Sequence, residues 1–421
     1  MSVLCRKHLS REFVSYVEKV FMELVAEWRE GEIPAMVERE RQITPIRGVA
    51  IAVVGPRRAG KTYLLFQTAL RLGRETTLYI NFEDVRLVGL KPEHFSDFLK
   101  ALAEAGNPSV LLLDEIQNVP HWGRWVRSLL DKGYMVVVAG SSSKLSLREV
   151  PTELRGRYLS FLLLPFSFRE FLKARNIAAD ITASPASRGR ILAALREYVE
   201  LGGYPEVVMR PDLAQLLLKS YRDTVAYRDV VERHKIRDAA SFEVFMSLIE
   251  ASFGNVFSIS AAHRRMRGMG LEKSKKTLAN YLKYLEEAFY IITVPKWGPG
   301  KTSLLQPRKI YPIDPGYLPK GQWGRKMETA VAVELARRGI SPKYYRGKGE
   351  VDFITEDEAI QVTYASSPDE IDRRELTSLE EAVKATGKRP LIITWDYEGE
   401  IVTRGIRAKA VPLWKWLLFG S

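Results

Sequence analysis

The chain has 421 residues, of which 46% are hydrophobic, and its 64 Lys and Arg against 51 Asp and Glu give a formal net charge of +13. This length predicts several domains of roughly 150 residues each, no apolar run reaches the roughly 18 residues of a membrane span, and the single Cys5 excludes an intrachain disulfide or a multi-cysteine zinc site. Residues 1–10 are polar and basic with no apolar signal segment after them, so we expect a cytoplasmic protein without a membrane partner, and the excess positive charge favours a polyanionic one.

Residues 1–48 form a predicted N-terminal extension. Apolar side chains recur at helical spacing between Glu12 and Glu30, which predicts a helix packed on the body of the protein. The linker after it, residues 33–48, carries charged side chains such as Arg39, which could line the base pocket of a nucleotide.

The strongest motif follows this linker and matches the phosphate-loop pattern G-x-x-x-x-G-K-S/T at every required position. Its residues are Gly55-Pro56-Arg57-Arg58-Ala59-Gly60-Lys61-Thr62. A β-branched apolar segment, 49–54, precedes the loop, and a helical pattern, 62–71, follows it, as the motif requires. Glycines let successive amides turn toward phosphates at a helix N-terminus, where the dipole favours negative charge. We expect Lys61 to reach the β- and γ-phosphates and Thr62 to hold Mg²⁺.

A metal site of this kind needs an acid at the end of a second buried strand. Residues 110–115 supply it, since four apolar residues lead into Asp114 and Glu115. We expect Asp114 to hold Mg²⁺, directly or through water, and Glu115 to polarise the water that attacks the γ-phosphate. An ordinary buried strand ending in two solvated acids is the alternative.

Three further strands are predicted, at residues 76–82, 134–140 and 158–164. With helices between them, they give a three-layer α/β core over residues 49–168. Ser141 follows the fourth strand, where a hydroxyl could sense the γ-phosphate. Arg155 and Arg157 precede the fifth strand, and either could reach a neighbouring subunit's phosphate or bond a local carboxylate.

Helical patterns dominate residues 169–235, with a break at Gly202-Gly203-Tyr204-Pro205-Glu206. Residues 236–315 predict two helices joined by a glycine turn and followed by a β-hairpin, which is a winged helix-turn-helix. Basic residues cluster around the N-terminus of its second helix: Arg264, Arg265, Arg267, Lys273, Lys275 and Lys276. Such a helix end meets phosphates and base edges in DNA complexes, although winged helices also bind proteins.

The last segment, residues 316–421, predicts a helix, three strands, a helix and a strand in that order. Its first helix carries Glu328, its second strand carries Asp352, and its third strand carries Gln361.

Taken together, these motifs resemble AAA-superfamily ATPases, common in archaea, that carry a winged helix and a nuclease-like C-terminal domain. The resemblance rests on the phosphate loop, Leu113-Asp114-Glu115-Ile116-Gln117, Leu154-Arg155-Gly156-Arg157 and Gly202-Gly203-Tyr204-Pro205-Glu206. It implies an additional-strand core with a helical lid over 169–235, a sensor role for Ser141 and adenine contact from Gly203 and Pro205. It also implies an arginine finger at Arg155 or Arg157.

The C-terminal segment resembles the PD-(D/E)xK nuclease fold. The resemblance implies that Glu328, Asp352 and Gln361 correspond to the acidic metal site, but Thr363 stands where that motif has its lysine. Without a cation beside the attacking water and the phosphate, cleavage loses its electrostatic help. We therefore expect a degenerate domain that does not cut DNA.

These observations predict an α/β protein that hydrolyses ATP with Mg²⁺ and couples the reaction to movement of subunits or domains, with DNA as partner and as a homo-oligomer. A nucleotide-dependent signalling or scaffold switch with slow turnover is one alternative. An ATP-gated DNA nuclease is another.

Overall fold

The computed structural model describes residues 15–140, 152–179, 184–298 and 306–420. The chain divides into two compact units. The first comprises residues 1–36, 41–54 and 61–161, and the second comprises residues 37–40, 55–60 and 162–421.

The first unit is built on a five-stranded sheet of order β2-β3-β4-β1-β5. The strands are β1 (Ala50–Val54), β2 (Thr77–Asn81), β3 (Val110–Asp114), β4 (Met135–Ala139) and β5 (Tyr158–Leu162). Three neighbouring pairs, β2/β3, β3/β4 and β4/β1, are parallel. Strands β1 and β3 are buried along their whole length, which explains why their sequences are continuous apolar runs.

Helices flank this sheet in the chain order that the sequence predicts. They are α1 (Tyr16–Glu30), α2 (Lys61–Leu72), α3 (Phe95–Glu104) and α4 (Trp122–Asp131). Helix α1 begins after Ser15, whose hydroxyl accepts the Glu18 N–H. Its apolar face packs on α3, with the Phe21 and Phe98 ring centroids 5.1 Å apart.

Helices form the first part of the second unit. They are α5 (Phe168–Ala174), α6 (Pro185–Leu201), α7 (Pro205–Met209), α8 (Ala214–Thr224) and a π-helix (Val225–Glu232). A reciprocal capping box between Ser167 and Glu170 begins α5. Helix α6 starts at Pro185 because Ser184 caps it and a proline at the first turn costs no hydrogen bond.

Three more helices and three short strands come next: α9 (Ala239–Glu250), β6 (Asn255–Phe257), α10 (Ile259–Gly268), α11 (Lys275–Glu287), β7 (Ile291–Pro295) and β8 (Arg308–Pro312). The strands form an antiparallel sheet of order β6-β8-β7. Apolar side chains from the helices and strands share one core around Phe245, Leu282 and Ile310.

A mixed six-stranded sheet of order β13-β14-β12-β11-β10-β9 ends the chain. Its elements are α12 (Trp323–Arg337), β9 (Lys343–Arg346), β10 (Glu350–Ile354), β11 (Glu358–Val362), α13 (Arg373–Thr386), β12 (Arg389–Thr394), β13 (Gly399–Val402), β14 (Arg407–Pro412) and α14 (Leu413–Phe419). The first six follow the predicted order. Strands β13 and β14 and helix α14 were not predicted from the sequence, although six of the seven residues of α14 are apolar.

Candidate functional site

Helix α2 begins at Lys61, directly after the glycine loop, and places Thr62 beside the end of β3. The Thr62 hydroxyl donates to Asp114 Oδ2 at 2.6 Å, and the Tyr79 hydroxyl donates to the same oxygen at 3.2 Å. Lys61 and Asp114 are both buried. Burial and the nearby Asp114 charge raise the pKa of Tyr79, so it stays a neutral donor.

Two oxygen groups that the sequence analysis assigned to a metal therefore touch each other, although 52 positions separate them in the chain. Hydroxyl and carboxylate oxygens suit Mg²⁺, which takes few protein ligands and keeps its other positions for water and substrate phosphates. The donor set of Thr62 and Asp114 fits that ion.

Glu115 stands in the left-handed region, with φ 49° and ψ 37°, a conformation that few residues other than glycine adopt. Its N–H donates to Asp114 Oδ1 at 3.1 Å, and the Gln117 amide donates to its Oε2. A strained backbone position held by two contacts is typical of functional sites. The Gln117 contact therefore restrains the Glu115 carboxylate.

Gln117 is a further candidate functional residue. It belongs to a motif quoted above, but the sequence assigned it no role. Its Oε1 is buried and has no hydrogen-bond partner among the described residues. An unpartnered buried amide oxygen can accept a hydrogen bond from a water or a ligand.

The loop residues 55–60 belong to the second unit, and its two glycines are restricted for different reasons. A Cβ on Gly55 would lie 1.9 Å from the Leu163 carbonyl oxygen. Gly60 has φ +92°, so a residue with a side chain would be strained there. These glycines are required by packing within the unit as well as by any ligand.

Arg39 from the predicted linker holds the loop from inside the same unit. Its guanidinium donates to the Ala59 carbonyl at 2.6 Å, to the Leu164 carbonyl at 2.7 Å and to Glu170 Oε1 at 2.9 Å. It also lies over the Phe166 ring, 5.1 Å from the centroid. From the sequence, the linker could line a base pocket, and this stays a prediction. In the structure the Arg39 guanidinium has three buried partners.

The two arginines of the loop pair with acids from the helical part of the second unit. Arg57 Nε donates to both oxygens of Asp229, at 2.9 and 3.0 Å. Arg58 Nη1 lies 3.8 Å from Glu206, which also accepts a 2.7 Å hydrogen bond from the Tyr221 hydroxyl. The two loop arginines therefore pair with one acid on α7, Glu206, and with one on the π-helix, Asp229.

Gly203 and Pro205, the predicted adenine contacts, lie at the turn before α7. The Gly203 N–H donates to Asp314 Oδ2 at 2.8 Å, and Pro205 occupies the first turn of α7. A Cβ on Gly60 would lie 3.8 Å from the Pro205 ring, so the turn and the loop are neighbours. Burial raises the pKa of Asp314 to about 6.

The remaining predicted residues of the core differ in their surroundings. Arg157 pairs with Asp131, Nη1 to Oδ1 at 2.7 Å, whereas Arg155 is exposed and its side chain has no partner among the described residues. Ser141 lies outside the described residues.

The basic cluster lies on α10, at the start of α11 and in the turn between them. Five of its members are exposed: Arg264, Arg265, Arg267, Lys275 and Lys276. Lys273 is half-buried and pairs with Asp238 at 2.7 Å. The structure therefore places three exposed cations on α10 and two at the start of α11.

The three residues of the predicted degenerate nuclease site are on α12, β10 and β11, and Glu328 and Asp352 share one partner. That partner is Lys309 from β8, which the sequence analysis did not single out. Gln361 is buried, and its Oε1 has no hydrogen-bond partner among the described residues. Among the described residues, no three His, Cys, Asp or Glu side chains are arranged to hold a metal ion.

Two family models match parts of the chain. Residues 48–172 match one described as "AAA domain", and residues 192–320 match one described as "Domain of unknown function (DUF8612)". The first match supports a nucleotide-binding AAA-type core. It covers the phosphate loop, Asp114 and Glu115.

Relatives are found in both archaea and bacteria. "Uncharacterized protein MJ1544" of Methanocaldococcus jannaschii is 34% identical over 410 residues, with 91% of each chain covered. An "Uncharacterized protein" of Haemophilus influenzae is 28% identical over 79% of this chain and 87% of its own length. "Uncharacterized protein MJ1637" of M. jannaschii is 26% identical over 72% of each chain.

No helix in the described ranges is both long and apolar enough to cross a membrane.

Proposed function

We propose that this chain, which belongs to the same family as protein MJ1544 of M. jannaschii, uses its AAA domain to bind ATP and hydrolyse it with Mg²⁺. The observation that carries the proposal is the 2.6 Å contact between the Thr62 hydroxyl and Asp114. It joins the residue after the phosphate-loop lysine to the acid that ends a neighbouring buried strand, as metal-assisted phosphoryl transfer requires.

In this proposal the loop amides and Lys61 bind the phosphates. Thr62 and Asp114 would hold Mg²⁺, which supplies positive charge to the β- and γ-phosphate oxygens. Glu115 accepts a proton from the attacking water, and Gln117 keeps its carboxylate in place.

Calorimetric titration with ATP and a phosphate-release assay test the proposal. Lys61→Ala should abolish the binding heat. Glu115→Gln should retain binding and lose about 100-fold or more in turnover, since general bases contribute 10²–10⁴-fold. Glu104→Gln, at an exposed acid of α3, is the matched control and should behave as the wild type. Normal turnover in Glu115→Gln would show that Glu115 is not the base.

We also infer that nucleotide binding acts on the helical part of the second unit. Arg57 is engaged by Asp229, and a triphosphate offers competing anionic oxygens to the same guanidinium. Exchange of one partner for the other would change the constraint on the π-helix. Asp229→Asn should weaken this pairing and tighten ATP binding, and an unchanged affinity would argue against the exchange.

DNA is the partner that the basic cluster favours, with residues 236–315 acting as a winged helix-turn-helix. The supporting observation is the exposure of five cations on α10 and at the start of α11. Turnover that rises with DNA, with a stimulation that falls steeply with salt, would support a DNA-coupled motor. Slow turnover that is indifferent to DNA would favour the signalling or scaffold switch.

A further inference from the structure

A lysine that belongs to no motif lies among the acids of the C-terminal domain. Lys309 is on β8 and is only 2% exposed. Its ammonium lies 2.7 Å from Asp352 Oδ1, 3.0 Å from Glu350 Oε1 and 3.2 Å from Glu328 Oε2. Three carboxylates from β10 and α12 thus converge on one cation that the chain itself supplies.

The oxygens of this cluster are already engaged by further donors. Asp352 Oδ2 accepts the Val362 N–H at 2.9 Å, so both oxygens of that carboxylate have partners. Glu328 Oε2 accepts the Tyr311 hydroxyl at 3.1 Å in addition to the ammonium. A divalent ion would have to displace these donors to reach the carboxylates.

Lys309 remains charged in this buried position. Burial opposes the ammonium form, but Asp352, Tyr311, Glu328 and Glu350 together outweigh it and raise the pKa of Lys309 well above its ordinary value, while burial and the Asp352 charge raise the pKa of Glu328 to about 8. The three contacts place the ammonium between the acids, and a second cation at the same point would be repelled by it.

The nuclease fold that the sequence resembles implies a divalent metal held by Glu328, Asp352 and Gln361. The residues present do not fit that metal. Two of the three contact the Lys309 ammonium, and the third, Gln361, offers only a neutral amide oxygen, Oε1, which is buried and has no hydrogen-bond partner among the described residues.

We propose that the Lys309 ammonium occupies the cation position of this carboxylate cluster, so that the cluster binds no divalent metal and cleaves no phosphodiester. The lysine missing after Gln361 is thus not replaced in its catalytic role. A lysine from a different strand instead turns the acids into an internal ion-pair network that ties β8 to α12 and β10. This property is independent of the ATPase activity proposed above.

Manganese titration of the nucleotide-free full-length protein, followed by calorimetry, tests this proposal. Wild type and Glu328→Gln should give the same titration, because no binding depends on Glu328. Lys309→Met should gain one Mn²⁺ site that both the wild type and Lys309→Met/Glu328→Gln lack. Lys343→Met, at an exposed lysine of β9, is the matched control and should gain no site.

A wild-type Mn²⁺ site that Glu328→Gln removes would overturn the proposal, and so would a folded Lys309→Met that binds no Mn²⁺. If circular dichroism shows that Lys309→Met does not fold, the comparison of the wild type with Glu328→Gln tests the proposal. Intact supercoiled plasmid after incubation of wild type with Mn²⁺ is then the expected result. Nicking that disappears in Glu328→Gln overturns the proposal.

Discussion

Replacing Arg39 with methionine removes a buried guanidinium that serves three partners at once. The change leaves the Ala59 and Leu164 carbonyls without their donor and leaves the Glu170 carboxylate, 3% exposed, without its counterion. Breaking a buried ion pair by removing one partner costs about 3–5 kcal/mol. We expect Arg39→Met to destabilise the second unit by about that amount.

The stability that Arg39→Met loses should depend on pH, and the Arg39–Glu170 ion pair determines whether the loss grows or shrinks as the pH falls. Burial acts to raise the pKa of Glu170, but Arg39, with a smaller contribution from Arg337, outweighs it and holds that pKa below its ordinary value. A lowered folded-state pKa gives stability that is present above the unfolded pKa and is lost as the pH falls. In Arg39→Met the remaining burial favours the protonated acid. The stability deficit of the variant should therefore be largest near pH 8 and shrink toward pH 5.

Thermal unfolding of wild type, Arg39→Met and Lys173→Met at pH 5 and pH 8 measures this effect. Lys173 makes a 3.4 Å ion pair with Glu38 between the same two segments, but both side chains are exposed, so its removal should cost less than about 1 kcal/mol. The double variant Arg39→Met/Glu170→Gln should recover part of the loss. Equal deficits for Arg39→Met and Lys173→Met, or a deficit that grows toward pH 5, would refute the reasoning.

Three further predictions concern other parts of the chain. Asp314 has a folded-state pKa raised to about 6 by burial, so its contribution to stability is complete below pH 4 and is lost as the pH rises through about 6; Asp314→Asn should flatten the wild-type fall in melting temperature between pH 4 and pH 7, and an unchanged slope would contradict this. Arg155→Ala should lower turnover at unchanged ATP affinity, and more than Arg157→Ala, because Asp131 already holds Arg157; equal effects would remove the preference for Arg155. Lys275→Ala should reduce the salt dependence of DNA binding by about one phosphate contact, and an unchanged slope in a salt titration would exclude Lys275 from the interface.

Much of the core could be predicted from the sequence because its signals are local. Continuous apolar runs predicted β1 and β3, and the glycine loop predicted a helix from residue 62, one residue after the start of α2 at Lys61. The two acids at the end of β3 were predicted as a pair with the loop, and the structure confirms the contact between Thr62 and Asp114. These inferences needed only the rule that parallel strands end at one edge of a sheet.

The partners of the loop could not be predicted, since they depend on contacts between residues far apart in the chain. Arg57 and Asp229 are separated by 172 positions, and Arg39 and Glu170 by 131. Charge pairs of this kind have no periodicity, and each arginine has many acids of equal merit in the sequence. Lys309 was overlooked for a related reason. The motif places its lysine two positions after Gln361, whereas the structure brings one from an antiparallel sheet earlier in the chain.

The packing of residues 55–60 within the second unit bears on how this loop can respond to a ligand. Its backbone approaches Leu163 too closely for any side chain at Gly55, and its Ala59 carbonyl is fixed by Arg39. The loop is therefore built before a ligand arrives, so little binding energy is lost in ordering it. Two arginine side chains extend from the loop. Arg57 is half-buried and pairs with Asp229, and Arg58 is exposed and lies near Glu206. A phosphate that leaves the backbone in place can still compete for these two guanidinium groups, which makes the two ion pairs, rather than the loop conformation, the elements that nucleotide can change.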